Sequence, residues 1–250
     1  MSRSGLMSAL VILTVFATCA RAQDDAPPAV GGVTSPQGAM IFYTAHGQNG
    51  ACGPNCSDWI AAEGVVEWDT FKRLFAFMDR LGERKMPMVL HNWGAGDLKV
   101  ASSLGKIIRD HRLDVRAGAT IVADCAKVTE TECVALKRSG KVIDARIDTT
   151  SVACDVNCVL VLAGGVHRTL PADATVVIGP THIADRLAPN VSQERQVGLQ
   201  TQFGNQFRLY LSQMGVSTEI ADIIDRDAQT GRATQLSSKD WLRLGLVTTP

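Results

Sequence analysis

The sequence lacks a net charge and has few aromatic residues, and both features restrict its function. Its 25 Lys and Arg residues balance 25 Asp and Glu residues, and aromatic residues make up 5% of the chain. No stretch interleaves basic with aromatic residues. Binding of nucleic acid through bulk charge needs a basic surface, so we expect no nucleic-acid partner. The fractions of hydrophobic residues, 46%, and charged residues, 20%, are typical of a globular protein and exclude a disordered, collagen-like or coiled-coil chain.

The sequence also lacks a hydrophobic run long enough to cross a membrane, which takes roughly 20 residues. An apolar run at 6–17 follows a basic residue and precedes the small residues Ala20 and Ala22, which occupy positions −3 and −1 of a cleavage site. This pattern predicts a signal peptide at 1–22, cleaved after Ala22, and a periplasmic or secreted protein. A lipoprotein modified at Cys19 is the alternative. For the mature chain we expect no stable membrane anchor.

The remainder divides into a leader and one domain. Residues 23–37 are rich in Pro, Gly and Asp, which predicts a flexible leader. The segment 38–250 is long enough for one sizeable core and shows no internal repeat, so we predict a single domain.

Six cysteines remain after the predicted cleavage, which is an even number in an oxidising compartment and indicates disulfides. They lie in three close pairs, which favours local bridges, although pairing of the last two with the middle two stays open. Zinc is the alternative, but no His stands beside them at ligand spacing, and we predict no metal and no other cofactor. The cysteines are Cys52, Cys56, Cys125, Cys133, Cys154 and Cys158.

Strands and helices are predicted to alternate along the domain, which indicates an α/β fold with a mostly parallel sheet and a helical C-terminal part. The polar stretch 124–153 is predicted to be an insertion with a helical turn, and the cysteine-containing segment 46–66 to be a loop. Predicted strands are 39–44, 88–91, 115–119 and 174–179, and predicted helices are 71–81, 97–111, a buried helix up to 165, and three further helices that begin near Ser192, Ser217 and Ser238.

The segment 90–97 is the most informative loop, because a predicted strand stops there and a helix starts within a few small residues. Small residues let the backbone turn tightly, and the free N–H groups of such a turn can hold an anion or a developing oxyanion. Gly94, Ala95 and Gly96 are therefore the candidate oxyanion or ligand-binding residues.

The order of these motifs resembles the ClpP/crotonase superfamily. The turn is followed by a helix, a strand, and a small-residue helix that ends in Leu162-Ala163-Gly164-Gly165. A Leu-Pro turn and the strand 174–179 come next. The chain looks most like uncharacterised exported ClpP-like proteins of Gram-negative bacteria. The resemblance implies a β-α-β superhelical core, a hydrolase-like cleft, and a chain able to form a homo-oligomer.

The resemblance also assigns roles to single residues. The turn at 94–96 corresponds to the oxyanion turn of the family, and Val156 stands where the nucleophilic serine is expected, beside Asn157. Valine has no nucleophilic or titratable group. His182 is the candidate base, and Asp227 the candidate third residue, although Asp225 fits equally well.

Three functions follow, and whether the chain is an enzyme stays open. The first is a protein that has lost its serine and binds a peptide or small acyl ligand in the former active-site cleft. The alternative is an active periplasmic peptidase or esterase with a displaced nucleophile. A minor alternative is a thiol-redox protein, which needs one exposed, low-pKa cysteine at Cys154 or Cys158.

Overall fold

A mixed sheet runs through the middle of the fold, with helices packed on both of its faces. The computed structural model describes residues 38–94, 96–179 and 192–248, which belong to one compact unit. The predicted signal peptide and leader, the candidate oxyanion residue Ala95 and the candidate base His182 lie outside the described residues.

The described helices and strands follow one another in the alternating order predicted from the sequence. The helices are α1 (Thr70–Leu81), α2 (Leu98–Asp110), α3 (Glu130–Lys137), α4 (Val156–Ala163), α5 (Gln193–Gln213), α6 (Glu219–Thr230) and α7 (Ser238–Arg243). The strands are β1 (Ile41–His46), β2 (Asp58–Gly64), β3 (Met88–Asn92), β4 (Val115–Ala117), β5 (Ala119–Val122), β6 (Ile143–Asp148), β7 (Ala153–Cys154), β8 (Arg168–Thr169), β9 (Thr175–Ile178) and β10 (Thr234–Leu236).

Within the described part of the chain, seven strands form the large sheet in the order β5-β6-β1-β2-β3-β4-β8. Strands β2, β3, β4 and β8 are mutually parallel, and β6 is parallel to β1, whereas β1–β2 and β5–β6 pair antiparallel. A smaller sheet joins β10, β9 and β7. The predicted α/β class with a mostly parallel sheet is confirmed.

The prediction of a loop over 46–66 is wrong in its second half, where β2 forms. Trp59, Ile60, Ala61 and Ala62 are all buried, so β2 is covered on both faces. A strand buried on both sides has no alternation of polar and apolar residues, and such a short run next to cysteines and glycines resembles a loop in sequence. In the stretch 124–153, α3 and β6 form, and β6 pairs with both β1 and β5.

The main core lies between the large sheet and helices α1, α2 and α4, and a smaller core lies on the opposite face of β1–β3. Helices α2 and α4 approach closely because glycines face each other. A Cβ atom on Gly164 would lie 2.2 Å from the carbonyl oxygen of Gly105. This contact fixes the position of α4, and with it the helix start that carries Val156.

Candidate functional site

The turn that follows β3 has the tight backbone expected from its small residues. Gly94 adopts a φ of +75°, a conformation that side chains other than glycine rarely take. Gly96 is buried, and a Cβ atom there would lie 2.9 Å from the carbonyl oxygen of Val66 and 3.1 Å from Oδ1 of Asn157. Gly96 therefore lies beside the first residues of α4.

Asp155 links the end of β3 to the start of α4. It is the N-cap of the helix, and its Oδ1 accepts 2.9 Å from the backbone N–H of Cys158 and 3.0 Å from Nδ2 of Asn92. Burial raises the pKa of Asp155, while hydrogen bonds from the N–H of Cys158 and from its neighbours act in the opposite direction. The helix start thus holds a half-buried carboxyl group that accepts a hydrogen bond from a backbone N–H of the same helix.

Val156 is the first residue of α4 and is 5% exposed, in the position assigned to the nucleophile. Its neighbour Asn157 is 4% exposed, and Asn92 is 6% exposed. The Oδ1 atoms of both asparagines are buried and have no hydrogen-bond partner within residues 38–94, 96–179 and 192–248. Buried carbonyl groups without donors are uncommon in folded proteins, so these two oxygens are candidate acceptors for a ligand or a water molecule.

A second polar group, which no local sequence pattern indicated, lies on the opposite face of the same strand ends. Glu63 is 8% exposed, accepts 2.9 Å from the hydroxyl of Tyr43, and forms an ion pair with Lys137 of α3. Its neighbour across the sheet is His91. The pKa of His91 is lowered, mainly by burial; the charge of Glu63 acts in the opposite direction, and that of Lys137 lowers it further. The ring of His91 packs edge-on against Trp93, with centroids 4.9 Å apart. The sequence signal for this group is the carboxylate of Glu63 within the run that forms β2. It indicates a buried acid only once that run is recognised as a strand.

The candidate third residue lies on α6 and is hydrogen-bonded to the neighbouring strand β10. Asp227, on α6, is 2% exposed, and its Oδ1 accepts from Thr234 on β10 and from Arg226. Its Oδ2 is buried without a partner in the described part of the chain. Asp225, the equally good fit, instead pairs with Arg208 at 2.6 Å.

The cysteines form three local bridges, as their spacing favoured, and this pairing leaves none of the six free. Cys154 and Cys158 are each 1% exposed, so the exposed thiol that a redox function needs is not present at this position. The bridges are Cys52–Cys56, Cys125–Cys133 and Cys154–Cys158, with Cα–Cα distances of 5.1, 5.0 and 5.1 Å.

Among the described residues, no three His, Cys, Asp or Glu side chains are grouped so that they could hold a metal ion. In the same part of the chain, every helix is too short or too polar to span a bilayer.

Comparison with known proteins gives similarity in structure only. No family model matches the sequence, and no curated protein matches it. The chain is similar to a ClpP1 point mutant from Listeria monocytogenes, with a TM-score of 0.40 and 10% identity over 73% of this chain and 86% of that one. It is also similar to DspI of Pseudomonas aeruginosa, with a TM-score of 0.40 and 13% identity over 88% of this chain and 70% of that one.

Proposed function

We propose that this chain is an exported ClpP-like protein that binds a peptide or a small acyl compound without hydrolysing it. The ligand lies between the turn at 94–96 and the start of α4. The observation that carries the proposal is Val156, which is the first residue of α4 and stands where a nucleophile is expected, next to a turn in contact with Asn157.

Among the described residues, those next to Val156 offer no substitute nucleophile. Cys154 and Cys158 form a disulfide with each other, and the carboxylate of Asp155 accepts hydrogen bonds from the helix backbone and from Asn92. Stabilisation of an oxyanion by backbone N–H groups does not by itself supply covalent catalysis. Within the described residues of this helix start, binding is therefore better supported than acyl transfer.

The polar groups of the site suit an amide ligand. The turn is predicted to offer backbone N–H donors, while Asn92 and Asn157 hold buried carbonyl oxygens that lack donors among the described residues. A peptide group provides one carbonyl oxygen and one N–H, so it can satisfy both kinds of partner. An acyl compound with an amide satisfies them equally well.

Export is supported by the three disulfides, since such bonds persist mainly in oxidising compartments. The apolar run at 6–17 and the small residues at Ala20 and Ala22 provide the predicted signal. We infer that the mature protein begins after Ala22.

The test is hydrolysis and binding of a panel of short peptides and esters by the purified, oxidised protein. Wild type is compared with the variants Val156→Ser, Val156→Ser with His182→Ala, and His182→Ala alone. Val197→Ser is the matched control, because Val197 is an exposed residue of α5. We expect wild type to bind one class of compound without turnover, and Val156→Ser to gain an activity that depends on His182.

Two results would overturn the proposal. Hydrolysis by wild type that is lost in His182→Ala means that the chain is an active hydrolase with a nucleophile elsewhere. Wild type that neither binds nor hydrolyses any member of the panel means that the cleft has no ligand of this class.

A further inference from the structure

A separate cleft of about 330 Å³ lies beside β4 and the edge strand β8 of the large sheet, and none of its lining residues belongs to the turn at 94–96 or to the start of α4. It is formed by β4, β8, the segment that follows β8, and the first residue after β6. The residues that line it are Arg116, Thr149, Thr169, Leu170, Pro171, Ala172 and Asp173.

Arg116 is the charged centre of this cleft. It is the middle residue of β4, and its neighbours Val115 and Ala117 are buried in the main core. Since successive side chains of a strand point to opposite faces, Arg116 points away from that core and towards the cleft. Arg116 is half-buried as a residue, and its guanidinium has no hydrogen-bond or ion-pair partner in the described part of the chain. An arginine stays charged at all ordinary pH values, so this site favours an anion.

The rest of the lining defines the kind of anion. Thr149 and Thr169 add hydroxyl donors, whereas Leu170 and Pro171 offer an apolar wall. Asp173 places one negative charge at the rim, where its Oδ2 accepts 3.2 Å from the backbone N–H of Ser151. A single positive charge beside a carboxylate suits a monoanion with an apolar part better than a dianion such as phosphate.

We propose that this cleft binds the carboxylate of a short peptide C-terminus or of a small organic acid. Arg116 pairs with the carboxylate, the two threonine hydroxyls donate to it, and the adjoining apolar group of the ligand packs on Leu170 and Pro171. A guanidinium matches a carboxylate in planar, two-point geometry. The inference is independent of the proposed function, because the two sites share none of their lining residues.

The experiment is calorimetric titration of the oxidised mature protein with the tripeptide Ala-Ala-Leu, its C-terminal amide, N-acetyl-leucine and inorganic phosphate. The variants are Arg116→Gln and Asp173→Asn, with Arg80→Gln as the matched control on the exposed last turn of α1. Circular dichroism confirms that each variant is folded.

We expect the tripeptide acid to bind wild type and Arg80→Gln equally, and Arg116→Gln about tenfold or more weakly, because a charge-assisted hydrogen bond is lost. Asp173→Asn should bind it more tightly, since the change removes the opposing charge while its amide oxygen can still accept from Ser151. A purely structural role of these residues would not produce this increase. Tighter binding of the tripeptide than of N-acetyl-leucine identifies a peptide C-terminus as the source of the carboxylate, and the reverse identifies a small acid.

Three results would overturn the inference. Equal binding of the tripeptide and its amide, unaffected by Arg116→Gln, places the peptide elsewhere on the protein, including at the turn. Tighter binding of phosphate than of either carboxylate contradicts the choice of a monoanion. No saturable binding of any carboxylate removes the site altogether.

Discussion

The side-chain amide of Asn92 donates a 3.0 Å hydrogen bond to Oδ1 of Asp155, which joins the end of β3 to the N-cap of α4. The same oxygen accepts from the backbone N–H of Cys158. One half-buried carboxyl group therefore positions both sides of the candidate site, the turn after β3 and the helix start that carries Val156. Changes at Asp155 should act on the turn and on the helix together.

The first prediction concerns the pH dependence of stability at Asp155. Burial raises the pKa of this group in the folded state above the usual aspartate value of about 3.9. The folded protein then binds the proton more tightly than the unfolded chain does, so stability contributed by Asp155 is fully present below the unfolded pKa. It is lost as the pH rises through the folded pKa.

Asp155→Asn isolates this effect, because asparagine is an equally good N-cap and can accept the same hydrogen bonds. We expect wild type to lose stability relative to Asp155→Asn as the pH is raised from about 3.5 to about 7. The measurement is the midpoint of urea unfolding for both proteins across this range. Parallel curves would show that the folded pKa of Asp155 is not raised.

The second prediction concerns Gly96. A methyl group there would lie 2.9 Å from the carbonyl oxygen of Val66 and 3.1 Å from Oδ1 of Asn157. We expect Gly96→Ala to destabilise the fold by about 1–3 kcal/mol and to weaken ligand binding at the turn. Gly198→Ala is the control, because a Cβ atom at Gly198 in α5 meets nothing within 4 Å, and the change should stabilise by about 0.5–1 kcal/mol. Equal stability of the two variants in urea unfolding would contradict the close approach at Gly96.

Elements with a clear helical period were predictable from the sequence, because their caps and apolar faces are local. Asp97 caps α2 by accepting from the N–H groups of Lys99 and Val100, and Ser192 caps α5 by accepting from the N–H of Arg195. The turn after β3 and the buried helix α4 were also found from small or apolar runs. These features depend on neighbours within a few positions in the chain.

Features that depend on distant residues were not predictable. The strand β2 is buried on both faces by layers that the sequence does not reveal, so its pattern carries no period. The contact of Glu63 with Tyr43 and Lys137 joins residues 20 and 74 positions apart. No local spacing indicates such a pair. That Arg116 has no side-chain partner among the described residues is likewise visible only in three dimensions.

The third prediction concerns the ion pair of Glu63 and Lys137. The side chains of Glu63 and Lys137 are 10% and 13% exposed, so each charge is poorly solvated and is stabilised by the other. We expect Lys137→Met to cost about 3–5 kcal/mol, because it leaves a buried carboxylate without its partner. Adding Glu63→Gln should recover part of that loss, since the amide is neutral and still accepts from the hydroxyl of Tyr43. A double-mutant cycle in urea measures this coupling, and additive effects would show that the pair does not interact.

The fourth prediction concerns export and the disulfides. Expressed with its full N-terminal segment in a Gram-negative host, the chain should be recovered from the periplasm or medium with Gln23 at its N-terminus. Denatured without reductant, this product should take up no iodoacetamide, because all six remaining cysteines are paired. Mass spectrometry measures both. Retention of Cys19 with one alkylated thiol would show that cleavage does not occur, and a lipid on Cys19 would favour the lipoprotein alternative.

The last prediction concerns Arg168, which is 4% exposed and links the end of α4 to the C-terminal part of the chain. Its guanidinium donates to the carbonyl oxygens of Gly165, Met214 and Gly245 at 3.0, 3.2 and 2.8 Å. Burial, followed by the nearby charge of Arg109, lowers the pKa of Arg168 to about 10. The residue nevertheless stays cationic at neutral pH, which suits the negative end of a helix dipole.

Lysine cannot reproduce this set of contacts, because its single ammonium group lacks the planar fork of a guanidinium. Arg168→Lys should therefore destabilise the fold by about 1–3 kcal/mol, since it leaves the carbonyl oxygen of Gly245 without its donor, whereas those of Gly165 and Met214 still accept from Arg109. Arg232→Lys is the matched control, because Arg232 is exposed, and it should leave stability unchanged. Urea unfolding compares the two variants. If Arg168→Lys is as stable as the control, another donor reaches the carbonyl oxygen of Gly245, and the end of α4 is held sufficiently by Arg109 and by the contact of Gly164 with Gly105.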